Sequence, residues 1–193
     1  MAIRDGRVRA IVGLGNPGDQ YAFTRHNLGA SVVQRLAKRW GCPFQLERKA
    51  LGRVARTLWE DQPLFLFIPK TYMNESGKAV ERFVHFFHVH ASSLLIAADD
   101  VTMPFGKSKI LKEGGNRGHN GMKSVFHSLG QGNFSRLWLG IGDRSCGSLE
   151  RHVLSTFSSE EQNSLEDFFQ ETMGMIEKWI LSPLLEKRER EIV

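Results

Sequence analysis

His26 is the residue best placed by type and neighbourhood to act as a base. It stands at the exit of a glycine-rich stretch, residues 13–27 (GLGNPGDQYAFTRHN), between Arg25 and Asn27. Imidazole changes charge near neutral pH and can take a proton from water. Such a base needs a carboxylate or carbonyl to set its tautomer and to stabilise the imidazolium that forms. Asp99 and Asp100, at the end of an apolar run, are the natural suppliers. No Gly-x-Ser-x-Gly elbow occurs, so an acyl-enzyme route lacks an obvious nucleophile. Hydrolysis by a water that His26 activates is the chemistry this pattern suits.

Asn16, Asn74 and Asn120 form a second constellation, preceded by Gly15, Met73 and His119. Each lies where a loop enters a predicted helix, and asparagine there is a routine cap. Taken together they offer donors and acceptors suited to a peptide-like substrate, an attacking water or a developing oxyanion. The remaining histidines of the described motifs are ordinary by position: His85, His88 and His90 lie on or beside one predicted helix and His127 within another.

The elements that must position these groups can be read from periodicity. Strands are expected at 8–13, 51–59, 64–68, 94–98 and 137–141, and an exposed or edge strand at 106–111. Leu28, Val32, Leu36 and Trp40 recur at helical spacing, which predicts a helix over 27–40 stopped by Gly41. Val80, Phe83, Val84 and Phe87 predict another over 75–88, with Asn74 as its cap. The segment 113–121 (EGGNRGHNG) reads as a flexible loop feeding a helix at 122–129. A last helix runs from about 159 to 181 and ends before Pro183, with 185–193 a frayed tail. Strands alternating with helices imply the α/β class: residues 1–193 as a single domain, with a mixed, mostly parallel sheet sandwiched between helices.

Composition narrows the function classes. A chain of 193 residues, 41% hydrophobic, can bury one sizeable core without disulfides or a structural metal. Cys42 and Cys146 form no Cys-x-x-Cys pair and have no histidine at ligand spacing, so no metal site is expected and the thiols read as reduced and partly buried. The N-terminus is too charged for a signal peptide and no run approaches a membrane span, which points to a soluble cytoplasmic protein. Net charge is +5, unevenly spread. Residues 101–144 carry seven basic side chains against two acidic ones, and residues 145–193 ten acidic against five basic. A basic middle suggests that one face meets a polyanion.

Two nucleotide motifs match by letter only. Residues 13–18 fit Gly-x-Gly-x-x-Gly, but the helix opens late and no Asp or Glu lies between Gln20 and Leu46. Gly106-Lys107-Ser108 resembles the end of a P-loop, yet Val101 stands where the first glycine belongs.

Four motifs together resemble the bacterial-type peptidyl-tRNA hydrolase family: GLGNPG with Tyr21 and TRHN; TYMNESG at 71–77; Asp99-Asp100 followed by Pro104 and Gly106; and GHNG at 118–121. They occur in the family's order and spacing over nearly the whole chain. The resemblance implies hydrolysis of the ester joining a peptide, or an N-blocked amino acid, to the 3′ end of tRNA, with no cofactor and as a monomer. It makes His26 the general base and Asp99 its orienting partner, and has Asn16 distinguish N-blocked from free aminoacyl-tRNA. It sets Tyr21, Tyr72, Asn74 and Asn120 against the acceptor end or the peptide, with Met73 and His119 lining the cleft. Lys107, Lys109, Lys112, Arg117, Lys123 and Arg136 are then candidate phosphate contacts.

The chain departs from the family pattern at three places. Thr102 stands where many members carry a second aspartate. Arg117 replaces a glycine of the loop before His119, stiffening a mobile lid and adding a phosphate contact. Trp138 stands where an arginine is common. The last two are expected to redraw the tRNA-binding face. The competing reading is a non-catalytic relative of the same fold that binds RNA as a splicing factor.

Overall fold

The computed structural model describes residues 8–130, 133–143 and 147–191, the last nine of these as backbone only. Cys146, like the tip of the tail, lies outside the described residues. The chain runs in the order β1 (Arg9–Gly13), α1 (Leu28–Arg39), β2 (Gln45–Glu47), β3 (Gly52–Trp59), β4 (Gln62–Pro69), α2 (Ser76–Phe87), β5 (Leu94–Asp100), β6 (Ser108–Leu111), α3 (Asn120–Leu129), β7 (Ser135–Gly140), α4 (Leu149–Val153) and α5 (Ser159–Glu191). Short 3₁₀ turns at Asp19–Tyr21, Arg25–Asn27, Met73–Glu75 and Ala91–Ser93 fill the junctions.

The strands form one sheet in the order β2-β3-β4-β1-β5-β7-β6. Its centre is parallel, through β4·β1, β1·β5 and β5·β7. The flanks β2·β3, β3·β4 and β6·β7 are antiparallel, so the α/β class and the mixed sheet hold. β6 sits at the edge, as its alternation of lysine and apolar residues requires.

Two cores follow from the two-residue period of the strands. Ile11, Leu64, Leu66, Leu95, Ala97, Leu137 and Leu139 point to one face, against α1 and α5. Ala10, Val12, Phe67, Leu94, Ile96, Ala98 and Trp138 point to the other, against α2 and α3. Because β5 is covered on both faces, every residue from Leu94 to Asp100 is buried, including both aspartates. The glycines of the first turn serve packing here. A Cβ on Gly13 would lie 2.5 Å from Gly29 O, and one on Gly29 would lie 2.3 Å from Ala97 O. They let α1 settle directly on the ends of β1 and β5.

Three expectations need correction. The last helix does not stop before Pro183 but runs to Glu191. Proline removes the donor for the carbonyl of Trp179, and that carbonyl is met instead by Ser182 Oγ at 3.0 Å. The Arg9 guanidinium, donating to the neighbouring carbonyl of Ile180, adds a second grip on the same turn. Asn74 does not cap α2; it lies inside a 3₁₀ turn, and Glu75 occupies the N-cap position. α3 begins at Asn120 with His119 as its cap, two residues earlier than periodicity indicates. Among the described residues, no helix is long and apolar enough to cross a membrane.

Candidate active site

The parallel strands β1, β4, β5 and β7 end at the same edge of the sheet, where open α/β folds hold their ligands. Asn16 follows β1, the Tyr72–Asn74 turn follows β4, and Asp99 and Asp100 close β5. α3 brings its N-terminus to the same edge with His119 and Asn120. A cleft of about 820 Å³ opens there, lined by Asn16, His26, Tyr72, Met73, Asn74, Asp99, His119 and Asn120. Its further wall comes from α4 and its surroundings, through Leu149, Glu150, Val153 and Leu154.

At its base His26 Nδ1 lies 2.8 Å from Asp99 Oδ1. His119 Nε2 reaches the same oxygen at 2.9 Å. Hydrogen-bond accounting sets both tautomers. His119 Nδ1 accepts the Met122 N–H at 3.1 Å, so its ring proton sits on Nε2 and is donated to Asp99. An ionised Asp99 takes the His26 proton at Nδ1, which leaves the Nε2 lone pair of His26 available to accept a proton at the cleft. Burial alone would raise the Asp99 carboxyl, but His119 and His26 outweigh it and hold the group well below the usual carboxylate range. The two imidazole rings lie 4.8 Å apart.

His26, Asp99 and His119 are close enough to share an ion. The donor set argues for proton sharing instead. A metal on His119 Nε2 would displace the only ring proton while Nδ1 still accepts from Met122, which demands an imidazolate.

Asn16 is placed by a residue the sequence reading left without a role. Asn27 Oδ1 accepts Asn16 N at 2.8 Å, and Asn27 Nδ2 donates to Asn16 O at 2.9 Å. Asn16 Oδ1 in turn accepts Met73 N at 2.8 Å, which turns its amide nitrogen loose for other partners. The mark Asn27 leaves in the sequence is an asparagine directly after His26 at a helix entry, and its burial is supplied by the fold. Arg25 is the other unassigned neighbour. Its guanidinium grips Glu161 with both nitrogens, at 2.7 and 2.6 Å, and donates to Ile141 O at 3.1 Å. This ties the His26 turn to the start of α5.

The remaining expected residues divide. Tyr72 is 56% exposed at the cleft mouth, and Met73 is buried beneath it. Asn74 and Asn120 stand exposed on the cleft wall with no side-chain hydrogen bond among the described residues. Tyr21 is half-buried outside the cleft lining, and its carbonyl accepts from Thr24. Lys107, Lys109, Lys112 and Lys123 are exposed. Arg136 is not a phosphate contact: only 1% of it is exposed, because β7 is covered on both faces. Its guanidinium donates to Lys112 O at 2.9 Å and Phe134 O at 2.8 Å, and stacks on Phe126 and Phe134. Arg117 turns inward to Asp100, and Trp138 is fully buried on the cleft floor instead of forming part of an outer face.

The comparisons with known proteins agree with one another. The family model described as peptidyl-tRNA hydrolase matches residues 10–191. The peptidyl-tRNA hydrolase of Synechococcus sp. (strain JA-3-3Ab) is 41% identical over 172 residues, covering 88% of this chain and 76% of that protein. That of Prochlorococcus marinus (strain NATL1A) is 39% identical over 176 residues, covering 88% and 87%. The crystal structure of peptidyl-tRNA hydrolase from Acinetobacter baumannii superposes with a TM-score of 0.80 at 34% identity, covering 94% of each chain. On these matches, and with the family's motifs converging on one cleft, the chain belongs to the peptidyl-tRNA hydrolase family.

Proposed function

We propose that the chain hydrolyses the ester between a peptide, or an N-blocked amino acid, and tRNA, with a water activated by His26. The observation that carries this reading is the His26 Nδ1···Asp99 Oδ1 contact of 2.8 Å at the base of the cleft. His26 Nε2 takes a proton from water, and the hydroxide attacks the ester carbonyl. Asp99 stabilises the imidazolium that forms, and the amide nitrogens of Asn16, Asn74 and Asn120 are the donors available to the oxyanion. The ribose oxygen then leaves with the proton returned by His26. An ester has a good leaving group, so these side chains suffice without a covalent intermediate.

Tyr72 at the mouth offers a face on which a terminal base or sugar can stack, and Tyr21 is a second aromatic on the neighbouring loop. Lys107, Lys109, Lys112 and Lys123 suit the acceptor-stem phosphates, so affinity falls with salt. The reading further holds that the protein acts as a monomer in the cytoplasm. A purely RNA-binding role has no use for a base, its carboxylate and three cleft asparagines assembled together.

The test is hydrolysis of N-acetyl-aminoacyl-tRNA, with free aminoacyl-tRNA as the control. Wild-type protein is expected to cleave the first and spare the second, and His26→Ala to abolish cleavage while keeping the wild-type circular dichroism spectrum. Near-normal turnover by His26→Ala would remove the base from the mechanism.

A further inference from the structure

Two of the three positions at which the chain departs from its family's pattern, Thr102 and Arg117, meet at a single side chain, Asp100, and the third, Trp138, lies under Arg117. Asp100 follows Asp99 at the end of β5, and its carboxylate is 1% exposed. Its Oδ1 accepts Thr102 N at 2.8 Å and Thr102 Oγ1 at 2.7 Å. Its Oδ2 accepts from Arg117 Nη1, and the Arg117 guanidinium lies over the Trp138 ring, 5.3 Å from its centroid.

Arg117 holds this place against its own backbone. Its φ is +48°, a left-handed conformation that disfavours any residue with a Cβ. The loop around it is largely solvent-facing: Arg136 holds the carbonyl of Lys112 at its start, but from 112 to 118 every residue but Asn116 is exposed, and Asn116 folds back onto Gly118 and His119 within the same loop. Two residues beyond Arg117, His119 donates to Asp99. The adjacent carboxylates at the end of β5 therefore hold two residues of one loop.

We propose that Arg117 is a positioning residue, latched to Asp100 above Trp138, that keeps the loop closed so that His119 stays on Asp99 and Asn120 stays at the cleft. Thr102 completes the latch by orienting the Asp100 carboxylate, with Oδ2 turned to Arg117. A loop cation with no partner would extend fully into water, and a glycine would relieve the backbone; the strained arginine, its side chain 33% exposed, is explained by the Asp100 carboxylate it holds. This inference rests on the hydrolytic reading of the Asp99 site and adds to it the residue that sets the second histidine.

The test compares Arg117→Gly, which frees the backbone and removes the cation, with Arg117→Lys, which keeps the cation. Steady-state hydrolysis of N-acetyl-aminoacyl-tRNA gives kcat and KM separately, and ¹⁵N-histidine NMR follows exchange of the His119 Nε2 proton. The latch requires Arg117→Gly to lose roughly tenfold or more in kcat with KM changed by less than about threefold, the pattern of a lost transition-state arrangement. The His119 proton should exchange at least roughly tenfold faster, as local opening becomes easier. Arg117→Lys should restore both readouts to within about threefold of wild type. A rise in KM with kcat unchanged would make Arg117 a substrate contact and overturn the latch. Wild-type kcat and exchange in Arg117→Gly would overturn it too, leaving the hydrolytic reading intact. If the wild-type protein itself fails to hydrolyse the ester, that reading falls, and the exchange comparison alone upholds or overturns the latch.

Discussion

Replacing Asp99 with asparagine separates the charge of the carboxylate from its shape. The carboxylate lies 2.8 Å from His26 Nδ1 and 2.9 Å from His119 Nε2, both on Oδ1, at 3% exposure. An amide oxygen can still accept from an imidazole, so geometry is largely preserved and the charge is what disappears. A unit charge about 4 Å from the imidazolium is worth about 4 kcal/mol at an effective dielectric near 20. The His119 donor already draws on the same oxygen, so about 3–4 kcal/mol is the expected loss of transition-state stabilisation. That corresponds to a fall in kcat of roughly 10²–10³. Single-turnover hydrolysis of N-acetyl-aminoacyl-tRNA at saturating enzyme measures it, with circular dichroism as the folding control. A folded Asp99→Asn protein that loses less than about tenfold would refute the electrostatic argument. The same charge has a stability signature. The folded carboxyl lies below its ordinary value of 3.8, so its contribution is present above about pH 4 and is lost on acidification. Asp99→Asn should therefore flatten the loss of stability below pH 4 in acid titrations followed by urea unfolding.

Three further substitutions test the hydrogen bonding and the packing. Asn27→Ala removes both side-chain bonds to the Asn16 backbone and leaves those groups unpaired, which should cost about 2–3 kcal/mol in urea unfolding and raise KM as the Asn16 amide drifts; an unchanged unfolding midpoint would show that water replaces Asn27. Gly77→Ala places a Cβ 2.1 Å from Ser124 O, forcing α2 off α3, and should cost about 3 kcal/mol. Gly174→Ala, with open space around it on α5, should instead gain about 0.5–1 kcal/mol. Thermal melts of equal sign for the two would break the close-approach account.

Six of the seven strands were legible, the central ones because a strand covered on both faces reads as a short continuous apolar run, as Ala10, Ile11 and Val12 illustrate, and only β2, three mostly polar residues, left no such run. The 3₁₀ turns and α4 were not, since they hold too few residues to show a period, and α4 supplies a wall of the cleft. Pro183 misled the reading of the last helix because its missing donor is compensated by Ser182, whose hydroxyl meets the orphaned carbonyl, with Arg9 reaching the same turn from a distant part of the chain.

Local chemistry determined much of the rest by itself. The type of His26, its place after a glycine turn and the carboxylates closing an apolar run mark a candidate base and a candidate partner without any contact being known. Family motifs in order then name the reaction. What only the tertiary structure decided is which groups share atoms. That His119 donates to the same oxygen as His26, that Asn27 clamps Asn16, and that Arg136 serves the interior are facts of spatial convergence. Asp99 and His119 meet because the β5 end and the α3 start face one another across the sheet edge. A one-dimensional pattern carries the donors and acceptors of each residue but not the partner that folding assigns to them.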